Sequence, residues 1–501
     1  MTDFEVILKD MPEFNSCVEH LQKGKVPIHL TGMTGSQKSH FIYSLCKALN
    51  KKCFVITYDE REAGRISDDL SFLFCREAVI FKNRDYIFYN VDAANHAGEH
   101  SRITSLIKLM QGYPLVATCD AVSHFTLPPD IFKANMYTLS QGDTVDVTEL
   151  TSKLIFMGYR RTAMVEDIGQ FAVRGSIIDV FSPYHENPVR IDLFDDEIDI
   201  LREFDKHTQV STDNISDFCI CPVREILYDD KKAQEIARSI RLMKNENLMA
   251  DADKFSDNAY FSSVDKYMPF VYNSLYTIFD YLDDDTLVFI DEAKMLSEVM
   301  KASYKQQNEI ISDMLSKGIF PKTKSQYLLD YYSLIQKAEA CSMISVSSIS
   351  HSCPSFSPKA LIGVAAKTLQ SYNGRAEFLF DDLKFWKKNN FKIIMVLGSD
   401  TKIKNMLSSL EEQGIEAAVS DSESLNPVPG LIYIVKGNLD RGFEYPGIKT
   451  VVVGNGGTGI EDIATEATLD INAPMYDVLG RLVDKTYKGI VLQSGQAFLL
   501  Q

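Results

Sequence analysis

Gly169-Gln170-Phe171-Ala172-Val173-Arg174-Gly175-Ser176-Ile177-Ile178-Asp179-Val180-Phe181, preceded by Gly158-Tyr159-Arg160-Arg161 and followed by Arg190-Ile191-Asp192-Leu193-Phe194-Asp195-Asp196-Glu197-Ile198-Asp199, is the stretch that decides the architecture. β-branched and aromatic residues alternate with polar ones between turn residues, which reads as a meander of short strands. Phe171, Val173, Ile177 and Val180 supply an apolar face. Arg160, Arg161 and Arg174 project from strand ends or the opposite face, where their planar guanidinium forks suit carboxylates across an interface. The alternative is a set of local pairs with Asp179, Asp192 or Asp195.

The flanks read differently. Upstream, Ile28-His29-Leu30, Cys53-Phe54-Val55-Ile56 and Leu115-Val116-Ala117-Thr118 alternate with helical segments such as Arg102–Gln111, the pattern of a parallel sheet covered by helices. Downstream, Lys231–Met249 is helical and Thr286-Leu287-Val288-Phe289-Ile290 is a continuous apolar strand ending in Asp291-Glu292. Segment 340–372, rich in serine and carrying Pro354 and Pro358, reads as a loosely structured connection. A further α/β unit follows, with strands at Ile393–Leu397, Leu431–Val435 and Thr450–Val453 and helices at Phe378–Asn389 and Lys402–Glu412. The expected fold is α/β: a degenerate P-loop lobe with an inserted small α+β domain, then a second small α/β domain and a short β tail. The boundaries are placed at 1–122 and 219–355 for the lobe, 123–218 for the insertion, 356–456 for the second domain and 457–501 for the tail.

After the Ile28–Leu30 strand comes Gly32-Met33-Thr34-Gly35-Ser36-Gln37-Lys38-Ser39. The phosphate loop G-x-x-x-x-G-K-[ST] needs its second glycine so that backbone N–H groups wrap the phosphates. Gln37 stands in that place. Gly32, Gly35, Lys38 and Ser39, with Asp291 and Glu292, which resemble the metal-binding and water-activating acidic pair of helicase motifs, are read as a vestigial nucleotide site used as scaffold; weak residual binding of ATP and magnesium is the alternative, and turnover is not expected. No catalytic residue and no metal site is assigned; His96 and His100, four apart, lack a third ligand.

A chain of 501 residues divides into several cores, and its net charge of −17 argues against a surface that grips nucleic acid as a whole. Arg102, Lys108 and the Lys384/Lys387/Lys388 cluster are the local candidates for phosphate contact, and Trp386 beside that cluster reads as core. Nine scattered cysteines fit reduced, mostly buried thiols. No run approaches a membrane span, and the start Met1-Thr2-Asp3-Phe4-Glu5 lacks a basic leader, so a cytoplasmic protein without membrane contact is expected.

Three elements in order, the degenerate loop at 32–39, the segment from Arg84-Asp85-Tyr86 to Leu115–Thr118, and the Gly158–Asp199 meander, together resemble the N-terminal UvrB-homology module of the transcription-repair coupling factors (Mfd). The unit from Gly374 to about Val453 is similar to the small domain that follows it there. UvrB itself carries an intact loop and a long hairpin, for which Asp85-Tyr86-Ile87-Phe88-Tyr89 leaves little room. The resemblance implies that the meander domain docks onto UvrA, with Arg160, Phe171 and Arg174 as anchors. It also implies that RNA polymerase and DNA are met through parts of the family protein not in this sequence. An ATP-dependent repair helicase, built on Lys38, Ser39, Asp291 and Glu292, is the alternative from the enzyme class. The last 45 residues, from Gly459-Ile460-Glu461-Asp462 to Tyr487-Lys488-Gly489, resemble instead a sorting tail of bacterial secreted proteins, with a junction expected near Gly454–Thr458.

Overall fold

The computed structural model describes residues 3–84, 86, 88, 96–257, 261–323, 326–350, 355–369, 372, 376–422, 425–454, 475–477, 482–483, 489–493 and 496–500. Its centre is a seven-stranded, all-parallel sheet in the order Ala360–Gly363, Ile28–Thr31, Ser342–Ser347, Thr286–Asp291, Lys52–Thr57, Leu115–Thr118, Val79–Phe81. Helices cover both faces, so the inner strands are buried along their whole length and read as near-continuous apolar runs. Two of the strands depart from the sequence reading. Ser342–Ser347 is not a loose connection but an inner strand, with Ser345 and Ser347 fully buried, and Ala360–Gly363 forms the edge beside Ile28–Thr31. The lobe therefore runs past the expected 355/356 boundary.

The insertion begins later than expected. Phe125, Leu127 and Phe132 pack into the core of the lobe, and the inserted domain opens with strand Tyr137–Ser140, which pairs with Asp217–Ile220. Between them a six-stranded sheet runs Ser211–Asn214, Glu197–Phe204, Val189–Phe194, Ile177–Val180, Gln170–Arg174, Arg160–Arg161. One of its faces closes on helix Val147–Phe156 through Leu150, Leu154, Ile178, Ile191 and Leu201. The return to the lobe passes through Glu225, a fully buried carboxylate. It receives Arg84 Nη1 at 2.5 Å, Arg102 Nε at 3.1 Å and Thr126 Oγ1 at 2.6 Å, while Arg84 Nη2 reaches Asp265 at 2.6 Å. The backbone N–H of Glu225 donates to Glu99 at 2.7 Å. Burying these charges is tolerable because they are paired and, Arg102 Nη2 apart, hydrogen-bonded. Arg102 is thus structural and has no surface on which to meet a phosphate.

The small domain has a six-stranded mixed sheet in the order Lys367–Thr368, Phe443–Tyr445, Thr450–Val453, Lys392–Leu397, Ile432–Lys436, Ala417–Val419. Side chains alternate across it with the period of two that a strand imposes. Ile393, Met395 and Leu397 pack under helices Ala376–Lys388 and Asp400–Glu412, with Trp386 in that core. Ile394, Val396, Val435, Phe443 and Tyr445 join instead the core containing Phe4, Phe41 and Leu70 of the lobe. The lobe is therefore the third layer of the small domain. Gly437 marks the closest approach: a Cβ there would lie 2.0 Å from the Phe72 ring.

Four strands of the tail, Leu482–Val483, Met475–Asp477, Gly489–Gln493 and Gln496–Leu500, form an antiparallel sheet of their own. The junction at 455–458 and Gly459–Asp462 lie outside the described residues, as do Asp85, Ile87 and Tyr89. Among the described residues no helix is long and apolar enough to cross a membrane.

Candidate functional site

The phosphate-loop sequence folds as a strand, a loop and the N-terminus of helix Ser36–Leu49, the arrangement that presents backbone N–H groups to an anion. Gly32, at φ 91°, could carry no side chain, since a Cβ would lie 2.3 Å from the Val364 carbonyl oxygen. Gly35, at φ 54°, precedes the helix with Arg441 packed alongside.

The cradle is filled by the protein itself. Gln37, buried, turns its side chain back so that Oε1 accepts the Thr34 N–H at 2.9 Å. Its Nε2 donates to Thr368 Oγ1 at 3.3 Å, and the Thr34 and Thr368 hydroxyls meet at 2.6 Å. Residue 441 of the same domain donates its N–H to Ser36 Oγ at 3.0 Å, and Asp440 N–H donates to Asp69 at 3.0 Å. Ser39 is fully buried.

Lys38 is equally committed. Its ammonium sits 2.6 Å from Asp291 Oδ1 and 2.7 Å from Glu292 Oε1, and the two acids are held from behind by Thr57 Oγ1 at 2.8 Å and Ser348 N–H at 2.7 Å. Burial by itself would depress the Lys38 pKa, but the two carboxylates outweigh it and hold the value above that of a free lysine. Burial pulls Glu292 the other way, and Lys38 again prevails, keeping this carboxyl below its usual range. All six expected residues thus come together, but they do not fit a bound nucleotide and magnesium: a phosphate would have to displace Gln37 and Thr368 and take Lys38 from its partners.

On the inserted domain the expected anchors separate. Arg160 and Arg161 form an edge strand, both exposed and without an ion pair among the described residues. Arg174, about half exposed, donates to Asp179, which also accepts Arg190 at 2.8 and 3.1 Å. The local-pair alternative therefore holds for Arg174, which keeps a free edge toward solvent. Phe171 is corrected: it is fully buried among Ile178, Val180 and Val189, so its ring supports the sheet and presents nothing to a partner. The Arg84–Arg102–Glu225–Asp265 cluster was missed. Its members stand far apart at 84, 102, 225 and 265, so no local pattern in the sequence signals it.

Elsewhere, His96 Nδ1 lies 3.2 Å from Glu99, and among the described residues no group of three or more His, Cys, Asp or Glu side chains could hold a metal ion. Lys108 pairs with Glu77 at 2.5 Å, and Lys384 donates to Gln413 at 3.3 Å.

Residues 137–226 match the UvrB interaction domain, bounds that coincide with the domain seen between Tyr137 and the Glu225 anchor. The chain is 28% identical over 484 residues to the transcription-repair-coupling factor of Bacillus subtilis strain 168, covering 90% of this chain and 40% of that protein. The counterparts of Staphylococcus aureus strain Mu50 and Staphylococcus epidermidis strain ATCC 12228 are 26% and 24% identical over 450 residues each, covering 86% of this chain and 38% of theirs. Over residues 137–226 the chain thus matches the UvrB interaction domain, and over nine tenths of its length it is similar to the transcription-repair-coupling factors, of which it spans about two fifths.

Proposed function

We propose that this chain is the docking portion of a transcription-repair coupling factor, in which the inserted domain binds UvrA and so brings excision repair to stalled transcription. The observation that carries this reading is the match of residues 137–226 to the UvrB interaction domain, on a domain whose edge arginines Arg160 and Arg161 are exposed and make no ion pair among the described residues. Arginines of this kind gain most at an interface when carboxylates meet them as water leaves. In this reading the P-loop lobe is scaffold, and the polymerase and DNA contacts belong to portions of the relatives that this chain does not span. The filled phosphate loop supports the scaffold role against the helicase alternative.

The test is equilibrium binding of the purified chain to UvrA, with ATP hydrolysis recorded on the same sample. Saturable binding that Arg160→Ala weakens, without turnover, is the expected result. Turnover stimulated by DNA with no UvrA binding would overturn it in favour of the helicase.

A further inference from the structure

Helix Ala376–Lys388 of the small domain turns Leu379, Phe380, Leu383 and Trp386 into the core, and its opposite face carries two phenylalanines, Phe378 at 54% and Phe385 at 59% exposure. Their separation in sequence is two helical turns, so the rings stand one above the other about 10 Å apart. Beside them runs a row of exposed charges, Glu377, Asp381, Lys384 and Lys388. The steps between them alternate between one turn and slightly less, which keeps the row on one flank of the rings. Acid fills its N-terminal half and base its C-terminal half.

The helix dipole accounts for that order of signs. It accounts neither for the rings nor for the like-charged neighbours one turn apart, Glu377 with Asp381 and Lys384 with Lys388, which cost an isolated helix stability. The order of signs is, however, self-complementary. A two-fold axis perpendicular to the helix brings the same flank of an antiparallel copy alongside, N-terminal half against C-terminal half. Glu377 then meets Lys388 of the copy and Asp381 meets Lys384, each pair occurring twice, while Phe378 of one helix lies against Phe385 of the other. A phosphate backbone laid along the row would be repelled by Glu377 and Asp381, so the lysines do not make a nucleic-acid strip.

We propose that this face is the contact of a two-fold dimer of the chain, formed by antiparallel packing of helix Ala376–Lys388 against its copy. A helix of 13 residues is about 20 Å long and too short to bury the area of a permanent dimer, so the association is reversible. It goes beyond the docking role and stands whether or not UvrA binds.

Sedimentation velocity on the full chain should show a sedimentation coefficient that rises with concentration between about 1 and 100 µM. Two double variants test the contact: Lys384→Glu with Lys388→Glu, whose row is all acidic, and Glu377→Lys with Asp381→Lys, whose row is all basic. Each alone should stay monomeric over that range, and an equimolar mixture should recover the association, which also shows that both are folded. Phe385→Ser should weaken association by at least about ten-fold, and Leu242→Ser, at an exposed position that ends a helix of the lobe, should leave it unchanged. An unaltered chain that remains monomeric throughout, association that the charge reversals leave intact, or variants that stay apart on mixing would each overturn the proposal.

Discussion

Lys38 and Asp291, 253 positions apart in the sequence, form an ion pair of 2.6 Å in which neither side chain is more than 5% exposed. In a working phosphate loop the lysine must be released to meet an incoming phosphate, and here Glu292 holds it from the other side as well. Lys38→Ala leaves two carboxylates facing each other in the interior, and breaking a buried pair by removing one partner destabilises by about 3–5 kcal/mol. Urea unfolding should report a loss of that size. A change under about 1 kcal/mol would mean that the pair is open to water.

Restoring the glycine that the loop lacks should not restore nucleotide binding. Gln37→Gly frees the Thr34 N–H but leaves Thr368 over the loop and Lys38 between its acids. Titration calorimetry with magnesium ATP should show no saturable heat up to about 1 mM for either protein, a limit of about 4 kcal/mol of binding energy.

Glu225→Ala strands Arg84 and Arg102, both buried, without their shared carboxylate. The expected cost is about 3–5 kcal/mol. Because Glu225 is where the inserted domain returns to the lobe, limited proteolysis should also cut near 222–229 faster than in the unaltered chain.

Phe171→Ala and Arg160→Ala should part company. The first removes a fully buried ring from the core and should lower stability by about 3–5 kcal/mol. The second removes an exposed side chain, should leave stability within about 0.5 kcal/mol, and should weaken UvrA binding by about 2 kcal/mol. Thermal melts and affinities measured on the same pair of variants decide it.

Acid should weaken the contact between the lobe and the small domain through His40. Its Nε2–H donates to the Phe4 carbonyl at 3.0 Å, which leaves Nδ1 to accept the Tyr445 hydroxyl at 3.0 Å, a neutral ring. Burial lowers its pKa from 6.5 to about 4, against the opposing hydrogen bond to Phe4. The unfolded chain therefore binds a proton below about pH 6.5 that the folded chain refuses until about pH 4, and stability falls across that window by roughly 3 kcal/mol. The stability difference between the unaltered chain and His40→Gln should shrink by that amount between pH 7 and pH 4; a constant difference would show that His40 has the same pKa in the folded and the unfolded chain.

The sequence by itself determined the kinds of element and their order. Apolar runs between helical periods specify a parallel sheet, period-two alternation specifies the meander at 158–205, and the misplaced Gln37 announces a defective phosphate loop, because each of these is a local pattern that one segment carries alone. Tertiary structure decided the rest. Alternation gives a strand two faces without saying which is covered, so Phe171 went inward and Phe194 outward only when helix Val147–Phe156 closed on one side. Ser342–Ser347 reads as a polar linker until two neighbouring strands take up its backbone and bury it. What closes over the phosphate loop besides Gln37, the Thr368 hydroxyl and the backbone of Arg441, lies more than 300 residues away from it, and contacts across that distance are set by the docking of two sheets, which no short stretch of sequence records.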